Sequence, residues 1–270
     1  MLLELHRILG NYWEHVAIVG GWVPTLLANN PKDPHQGTLD IDLALNHLLI
    51  PEESYEKIHE LLTKNGYEQN TDRAKQFQYF RYIEQDGRKF TVIVDLLTGE
   101  YNVESGKKRR HEAIQDANVL KARGVDLVFE RFNIVTISGE LPNQGGKDQA
   151  ECKVAGICPI IVMKCSAMAG RYKVKDSYDL FYVVKHYPGG LDAILKALEP
   201  DIEHGLFREA ESRIRQYYSA ADATGPAWVA KFLELTDPTD IEIQRMDVFQ
   251  TMQDLLTGID SLRQKLEEPK

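Results

Sequence analysis

Residues 16–45 read VAIVGGWVPTLLANNPKDPHQGTLDIDLAL. The apolar run Val16–Val19 stops at Gly20-Gly21, and apolar side chains then recur at helical spacing over Trp22–Leu27. This order predicts a buried strand, a tight turn and a helix. Residues 29–37 are rich in Asn, Pro, Asp and Gly, which indicates a loop before the next element.

Residues 38–45 alternate between polar and apolar side chains. We expect a strand with its leucine and isoleucine side chains on one face and with Asp40 and Asp42 on the other. Two carboxylates this close repel each other unless a cation lies between them. Mg²⁺ prefers carboxylate oxygens combined with substrate phosphates and water. Asp40 and Asp42 are therefore candidate ligands of Mg²⁺, or of Mn²⁺ in its place; a solvated strand face is the alternative.

A third acid follows on a predicted hairpin. Residues 77–83 and 89–97 are predicted strands, and the Asp86-Gly87 dipeptide between them favours a tight turn. Asp95 lies on the second of these strands, where it could hold a second metal ion or take a proton from an attacking hydroxyl. Gly20-Gly21 would let backbone N–H groups approach a phosphate at a helix N-terminus. The alternatives are a solvent-facing strand for Asp95 and a plain tight turn for the glycines.

The remainder of the chain divides by its periodicity. Residues 125–132 and 133–138 are predicted as another pair of strands, and residues 142–149 as a polar break. From about Pro159 onward the spacing is helical. We therefore predict a mixed α/β domain over residues 1–148 and an all-helical domain over residues 149–270, with the active cleft between them.

Composition limits the classes of protein. With 43% hydrophobic and 27% charged residues, the chain has the composition of a globular protein. The formal net charge of −9 argues against a protein that coats nucleic acid over its whole surface. No segment approaches the ~20 apolar residues that span a bilayer, and the first residues lack the apolar core of a signal peptide. The three cysteines fit no common zinc pattern. We expect a reduced, cytoplasmic protein that does not contact the membrane.

The order of these motifs resembles that of the polymerase-β-like nucleotidyltransferase superfamily. The resemblance rests on Gly20-Gly21, then Thr38-Leu39-Asp40-Ile41-Asp42, then a third acid on a later strand. It implies an α/β nucleotidyltransferase core with a mixed sheet. It also implies that Gly20, Gly21 and Thr38 bind the nucleotide, that Asp40, Asp42 and Asp95 bind the metal, and that Asp95 is the base toward the acceptor hydroxyl.

A second block resembles the AbiEii-type nucleotidyltransferases, the toxin half of abortive-infection toxin–antitoxin systems. It consists of Val154-Ala155-Gly156, Lys164, Arg171, Lys175-Asp176 and Tyr178-Asp179-Leu180. The resemblance implies that Lys164 and Arg171 contact phosphates, with Lys164 assisting catalysis, and that Asp176 and Asp179 belong to the nucleotide site. The alternatives are a surface position for Lys164, and helix-capping or first-turn roles for the two acids.

Together the two resemblances imply transfer of a nucleoside monophosphate from an NTP to an acceptor hydroxyl. The implied acceptor is RNA, with tRNA foremost, and the implied setting is a toxin with a cognate antitoxin. The basic run Lys107, Lys108, Arg109 and Arg110 is a candidate contact for an RNA backbone, or else a solvated loop. Two other functions stay open: nucleotidylation of a protein side chain, and a non-catalytic module that binds a nucleotide or a partner.

Overall fold

The computed structural model describes residues 1–46, 48–50, 52–85, 87–100, 111–114, 117–143 and 145–267. The chain divides into two compact units. The sheet unit comprises Met1–Trp22 and Gln36–Gly156, and the helical unit comprises Val23–His35 and Ile157–Lys270. At this level the predicted fold class is confirmed: a mixed α/β fold with a mixed sheet and a C-terminal helical region.

The first part of the chain supplies all the described strands. Its helices are α1 (Leu2–Leu9), α2 (Trp22–Leu27), α3 (Glu52–Lys64) and α4 (Val125–Val128). Its strands are β1 (Val16–Val19), β2 (Ile41–Leu45), β3 (Tyr67–Gln69), β4 (Gln78–Gln85), β5 (Arg88–Thr98), β6 (His111–Ile114), β7 (Ala117–Lys121), β8 (Phe132–Glu140) and β9 (Lys147–Ala155). Short 3₁₀ turns cover Gly10–His15 and Arg73–Lys75. The division between the two units falls inside α2, after Trp22.

The strands form one sheet in the order β3-β4-β5-β2-β1-β9-β8, with β7 also paired to β5 and β6 to β7. β2 pairs antiparallel with β1 and parallel with β5, so the sheet is mixed. Every residue of β1 is buried, as expected for a central strand with both faces covered. The interior of the sheet unit therefore lies around β1, β2 and β5.

The hairpin predicted at Asp86-Gly87 is present as β4 and β5. Gln85 pairs with Arg88, and Gly87 has a φ of +71°. This φ is readily adopted by glycine and suits a two-residue hairpin loop. Asp86 itself lies outside the described residues.

Three predicted elements differ from the structure. Strand β2 begins only at Ile41, and Leu39, predicted to share the apolar face, is 60% exposed. Residues 125–132, predicted as a strand, hold the short helix α4. Residues 142–149 contain a hairpin turn between β8 and β9, so the domain boundary predicted after residue 148 lies inside β9. Apolar and polar residues do alternate in β9 from Ala150 to Val154, but its first residues, Lys147 to Gln149, are polar and match the pattern of a break.

The helical unit is built from α5 (Ile157–Arg171), α6 (Val174–His186), α7 (Gly190–Leu198), α8 (Gly205–Tyr217), α9 (Thr224–Phe232) and α10 (Pro238–Glu267), with a 3₁₀ turn at Glu199–Asp201. Helix α6 is buried from Asp176 to Val184, so it is the centre of this unit. The last helix, predicted over residues 245–265, buries Met252, Leu255, Leu256 and Ile259 along one stripe. None of the helices in the described residues is both long and apolar enough to cross a lipid bilayer.

Candidate active site

Gly20 packs directly against Asp42 in the sheet unit. Gly20 follows β1 with a φ of +67°, a conformation that favours glycine. A Cβ atom at this residue would overlap the carboxylate of Asp42. Both the backbone conformation and the space beside Asp42 therefore require glycine here. Gly21 is buried in the same turn, directly before α2.

Asp42 and Asp95 lie side by side in the sheet. Asp42 of β2 is the register partner of Asp95 of β5, and the two strands are parallel. Register partners on neighbouring strands project to the same face and lie about 4.8 Å apart at Cα. Both side chains are half-buried. Two adjacent carboxylates in a partly desolvated site favour a cation between them. The structure thus brings together two of the three predicted acids.

Gln78 is a site residue that the motifs did not indicate. Its Nε2 donates a hydrogen bond of 2.9 Å to Oδ1 of Asp95. Its Oε1 accepts one of 3.1 Å from Nδ2 of Asn70. Because both ends of the Gln78 amide are engaged, the amide has one orientation and holds the Asp95 carboxylate in place. The register of the β4–β5 hairpin, counted back from its turn, pairs Gln78 with Asp95, so the predicted turn carried this information.

Asp40 and Thr38 lie beside the strand and outside it. Asp40 is exposed and precedes β2, and its backbone N–H donates to Oγ1 of Thr38 at 3.2 Å. The expectation that Asp40 and Asp42 project from one strand is wrong, because the strand begins one residue after Asp40. Over the described part of the chain, no group of three His, Cys, Asp or Glu side chains is arranged to hold a metal ion. Of the three predicted acids, Asp42 and Asp95 are paired across neighbouring strands, and Asp40 lies two residues before Asp42.

The second block forms a cluster of charges in the helical unit, here called the ionic cluster. Nζ of Lys164 donates to Oδ2 of Asp179 at 2.6 Å and to Oδ1 of Asp176 at 3.1 Å. Arg171 forms a bidentate pair with Asp176 through Nε at 2.8 Å and Nη2 at 2.7 Å. Lys175 donates to Oδ1 of Asp179 at 2.8 Å. Each carboxylate therefore accepts hydrogen bonds from two cationic side chains.

The side chains of the ionic cluster differ in their exposure to solvent. The side chains of Lys164, Asp176 and Asp179 are at most 5% exposed, whereas those of Arg171 and Lys175 are 52% and 29% exposed. Lys164 is thus neither a surface lysine nor open to solvent. Asp176 lies in the first turn of α6, whose N-cap is Lys173, and Asp179 lies one turn later. Neither acid caps the helix.

The charged groups of the ionic cluster shift one another's pKa values toward the charged forms. Burial by itself would lower the pKa of the Lys164 ammonium, but Asp179 and Asp176 raise it above its ordinary value. Burial likewise favours the neutral forms of Asp176 and Asp179, and Lys164 with the other cations holds the pKa of both carboxyls below the usual range. All three groups are therefore charged at neutral pH. A buried cluster of this kind is stable only while its partners remain.

His35 completes the cluster from a distant part of the sequence. Its side chain is 1% exposed, and its Nε2 lies 2.9 Å from Oδ1 of Asp179. The ring stacks on Tyr178 at 5.0 Å between centroids and meets the edge of Tyr182 at 4.8 Å. Two residues earlier in the same loop, the backbone carbonyl of Asp33 accepts a hydrogen bond of 2.8 Å from the Tyr182 hydroxyl. The loop predicted at residues 29–37 is thus anchored on α6 as far as His35.

The structure therefore places the predicted site residues in two groups, each within its own unit. The sheet unit holds the glycine motif, Thr38 and the three acids, and the helical unit holds Lys164, Arg171, Asp176 and Asp179. The basic run at residues 107–110 lies outside the described residues. No protein-family model, curated protein or solved structure matches this chain.

Proposed function

We propose that the protein is a metal-dependent nucleotidyltransferase that moves a nucleoside monophosphate from an NTP to an acceptor hydroxyl. The observation that carries the proposal is the alignment of Asp42 with Asp95 on neighbouring strands, with the Gly20 backbone packed against Asp42. An aligned carboxylate pair beside a glycine turn combines cation ligands with a place where a phosphate can approach the backbone. The resemblance to polymerase-β-like nucleotidyltransferases supplies the reaction class.

The acids of the sheet unit fit a hard divalent cation such as Mg²⁺ or Mn²⁺. Carboxylate oxygens are the ligands these ions prefer, and Asp42 and Asp95 supply them from rigid strands. Asp40, on the segment that leads into β2, is the candidate for a third ligand. The bound metal would polarise the α-phosphate and offset the charge that develops on it. Mg²⁺ completes its shell with substrate phosphates and water, so a site of few protein ligands is chemically suitable.

The side chains of the sheet unit would then have distinct tasks. Asp95 is the proposed base: it takes the proton of the acceptor hydroxyl while that oxygen bonds to the α-phosphorus. The bond from this phosphorus to the bridging oxygen breaks, and pyrophosphate leaves. Gln78 keeps the Asp95 carboxylate in one orientation through its hydrogen bond to Oδ1. Gly20, Gly21 and Thr38 would position the triphosphate.

In the helical unit the roles implied by the resemblance are redistributed. Lys164 is bonded to two buried carboxylates, so we assign it to positioning them. Arg171 and Lys175 are the more exposed cations of the ionic cluster, and each pairs with one of the two buried carboxylates. Asp176 and Asp179 would fix the geometry of those two side chains.

RNA is the proposed acceptor, and a toxin that is neutralised by an antitoxin is the proposed setting; both follow from the AbiEii resemblance. The test is incubation of the protein with α-labelled NTPs, Mg²⁺ and either total RNA or cell lysate. We expect label in RNA with the wild type. Asp42→Asn and Asp95→Asn should each lose it, because each removes a negative ligand with little change in shape.

Glu151→Gln is the matched control, since it makes the same chemical change at an exposed residue of β9. It should label RNA as the wild type does. Label that appears only in protein would mean that the acceptor is a protein and not RNA. If Asp42→Asn and Asp95→Asn label RNA as well as Glu151→Gln does, the assignment of the metal site is wrong. If nucleotide binds and no label is transferred to any acceptor, a non-catalytic module is the better account.

A further inference from the structure

Three aromatic side chains meet on the surface of the helical unit, and we call them the aromatic platform. Tyr172 lies in the link between α5 and α6, Tyr217 ends α8, and Trp228 lies in α9. The ring of Tyr172 meets that of Trp228 at 6.4 Å and 85°, and the ring of Tyr217 lies 5.7 Å from Trp228 at 34°. Segments far apart in sequence thus bring three flat rings to one place.

The exposure and the backbone conformation of Tyr172 are both unfavourable for a large aromatic residue. It is 67% exposed, so its ring gains little from burial. Its φ is +52°, a left-handed conformation that bulky side chains rarely adopt and that glycine usually supplies directly after a helix. A large exposed ring at a position where glycine would be more favourable indicates a role in binding. Trp228 and Tyr217 are half-buried.

Exposed cations lie next to the platform residues in the sequence. Arg171 and Lys173 flank Tyr172 directly and are exposed, and Lys231 is exposed one turn after Trp228 on α9. The negative partner of Arg171, Asp176, is only 2% exposed, so the guanidinium faces solvent while its counter-charge is buried. Neither residues 171–173 nor α9 contains an acidic residue. The exposed acids Asp222 and Glu234 lie just outside α9 at its two ends, so the cations are concentrated within residues 171–173 and α9 themselves.

We propose that the aromatic platform binds single-stranded RNA by stacking bases on Tyr172 and Trp228, with Arg171, Lys173 and Lys231 contacting the phosphates. Aromatic rings combined with Lys and Arg are the features that hold single strands without reading their sequence. A purely apolar protein partner would gain nothing from three exposed cations, which is why we choose a polyanion. The identification of this strand with the acceptor rests on the proposed function; the binding itself does not.

The test is fluorescence anisotropy of the full chain with a labelled single-stranded RNA of roughly ten nucleotides. Tyr172→Gly removes the ring and supplies the residue that the φ favours, so binding should weaken roughly 5- to 100-fold while the protein is no less stable. Tyr172→Phe keeps the ring and should bind within about two-fold of the wild type. Binding should also weaken with added salt, because phosphate contacts release counterions.

Tyr82→Ala is the matched control, since Tyr82 is 56% exposed on β4 of the sheet unit. It should bind RNA as the wild type does. If Tyr172→Gly binds as tightly as Tyr82→Ala, or if the wild type binds no single-stranded RNA, the platform is overturned. If RNA binding depends on Tyr172 and no label is transferred, the result would support the platform and contradict the proposed function. Transfer of label to RNA that is unchanged in Tyr172→Gly would support the proposed function and show that the strand bound by the platform is not the acceptor.

Discussion

Two pairs of carboxylates in this chain are held in different ways. In the helical unit Asp176 and Asp179 are buried and accept hydrogen bonds from Lys164, Arg171 and Lys175. In the sheet unit Asp42 and Asp95 are half-buried and aligned on adjacent strands, where Gly20 packs on one and the Gln78 amide holds the other.

The difference separates a structural pair from a candidate binding pair. The protein supplies the counter-charges of Asp176 and Asp179, so this pair stabilises the helical unit as long as those cations stay. Asp42 and Asp95 are aligned by backbone register, and two neighbouring carboxylates favour a cation bound between them. The same residue type therefore serves the fold in one unit and, in our proposal, the reaction in the other.

Removal of Lys164 should have the largest effect on stability. Lys164→Met keeps the length of the side chain and leaves two buried carboxylates with fewer partners, so the free energy of unfolding should fall by about 3–5 kcal/mol. Denaturant unfolding followed by circular dichroism measures it. Lys196→Met, at an exposed position of α7, should change it by less than about 0.5 kcal/mol. Equal midpoints for the two variants would mean that the ionic cluster does not stabilise the unit.

Gly20→Ala should come next, because it combines a strained φ with overlap on the Asp42 carboxylate. We expect a loss of about 2–4 kcal/mol in the free energy of unfolding. Gly37→Ala is the control: Gly37 has a φ of +73°, and a Cβ added there would meet no atom within 4 Å, so only the cost of about 1–2 kcal/mol for the φ applies. The double variant Gly20→Ala, Asp42→Ala should regain the part due to overlap. No recovery would show that Asp42 does not pack on Gly20.

Acid should weaken the helical unit in a defined range. Free aspartate titrates near 3.8, and the pKa values of Asp176 and Asp179 lie below that in the folded protein. Near the pKa of free aspartate, the folded state therefore binds fewer protons than the unfolded state. The free energy of unfolding should then fall as the pH drops below about 4.5. Denaturant midpoints measured down the pH scale check it. Lys164→Met should show a shallower decline, and an equal slope would contradict the coupling.

Replacement of Gln78 should have the smallest effect. Gln78→Met keeps the volume of the side chain and removes the hydrogen bond to Asp95, so the free energy of unfolding should fall by about 1 kcal/mol. Under the proposed function, transfer of label should drop by about 10- to 100-fold, as is usual when the partner of a metal ligand is lost. Gln149→Met, on the exposed hairpin of β9, is the comparison variant. A Gln78→Met protein with undiminished transfer would remove Gln78 from the site.

Local patterns in the sequence predicted the elements that local forces determine. β1, α2 and the β4–β5 hairpin follow from an apolar run, helical spacing and an Asp-Gly turn, and the structure contains all three. The predicted start of strand β2 is three residues too early. Polar and apolar residues already alternate from Thr38, whereas backbone pairing begins only at Ile41, and Leu39 is exposed. Helix α4 was missed because its four residues are too short to show a period.

Contacts between distant residues could not be predicted in this way. Lys164, Arg171, Asp176 and Asp179 were expected together from a resemblance, but nothing in their spacing indicated that Lys164 would be enclosed by both acids. His35 reaches Asp179 across 144 positions of sequence. Sequence periodicity does not indicate the exposed ring of Tyr172. The feature depends on the positive φ of this residue and on the contact of its ring with Trp228.

We propose that Asp42 and Asp95 form the cation site of this protein and that the acids of the helical unit do not. Titration of Mn²⁺ in the presence of a non-hydrolysable NTP, followed by electron paramagnetic resonance of the unbound ion, tests this most directly. We predict Mn²⁺ binding by the wild type, by Glu151→Gln and by Lys164→Met under conditions where it is folded, and loss of binding in Asp42→Asn and Asp95→Asn. Undiminished Mn²⁺ binding by both Asp42→Asn and Asp95→Asn would contradict the claim.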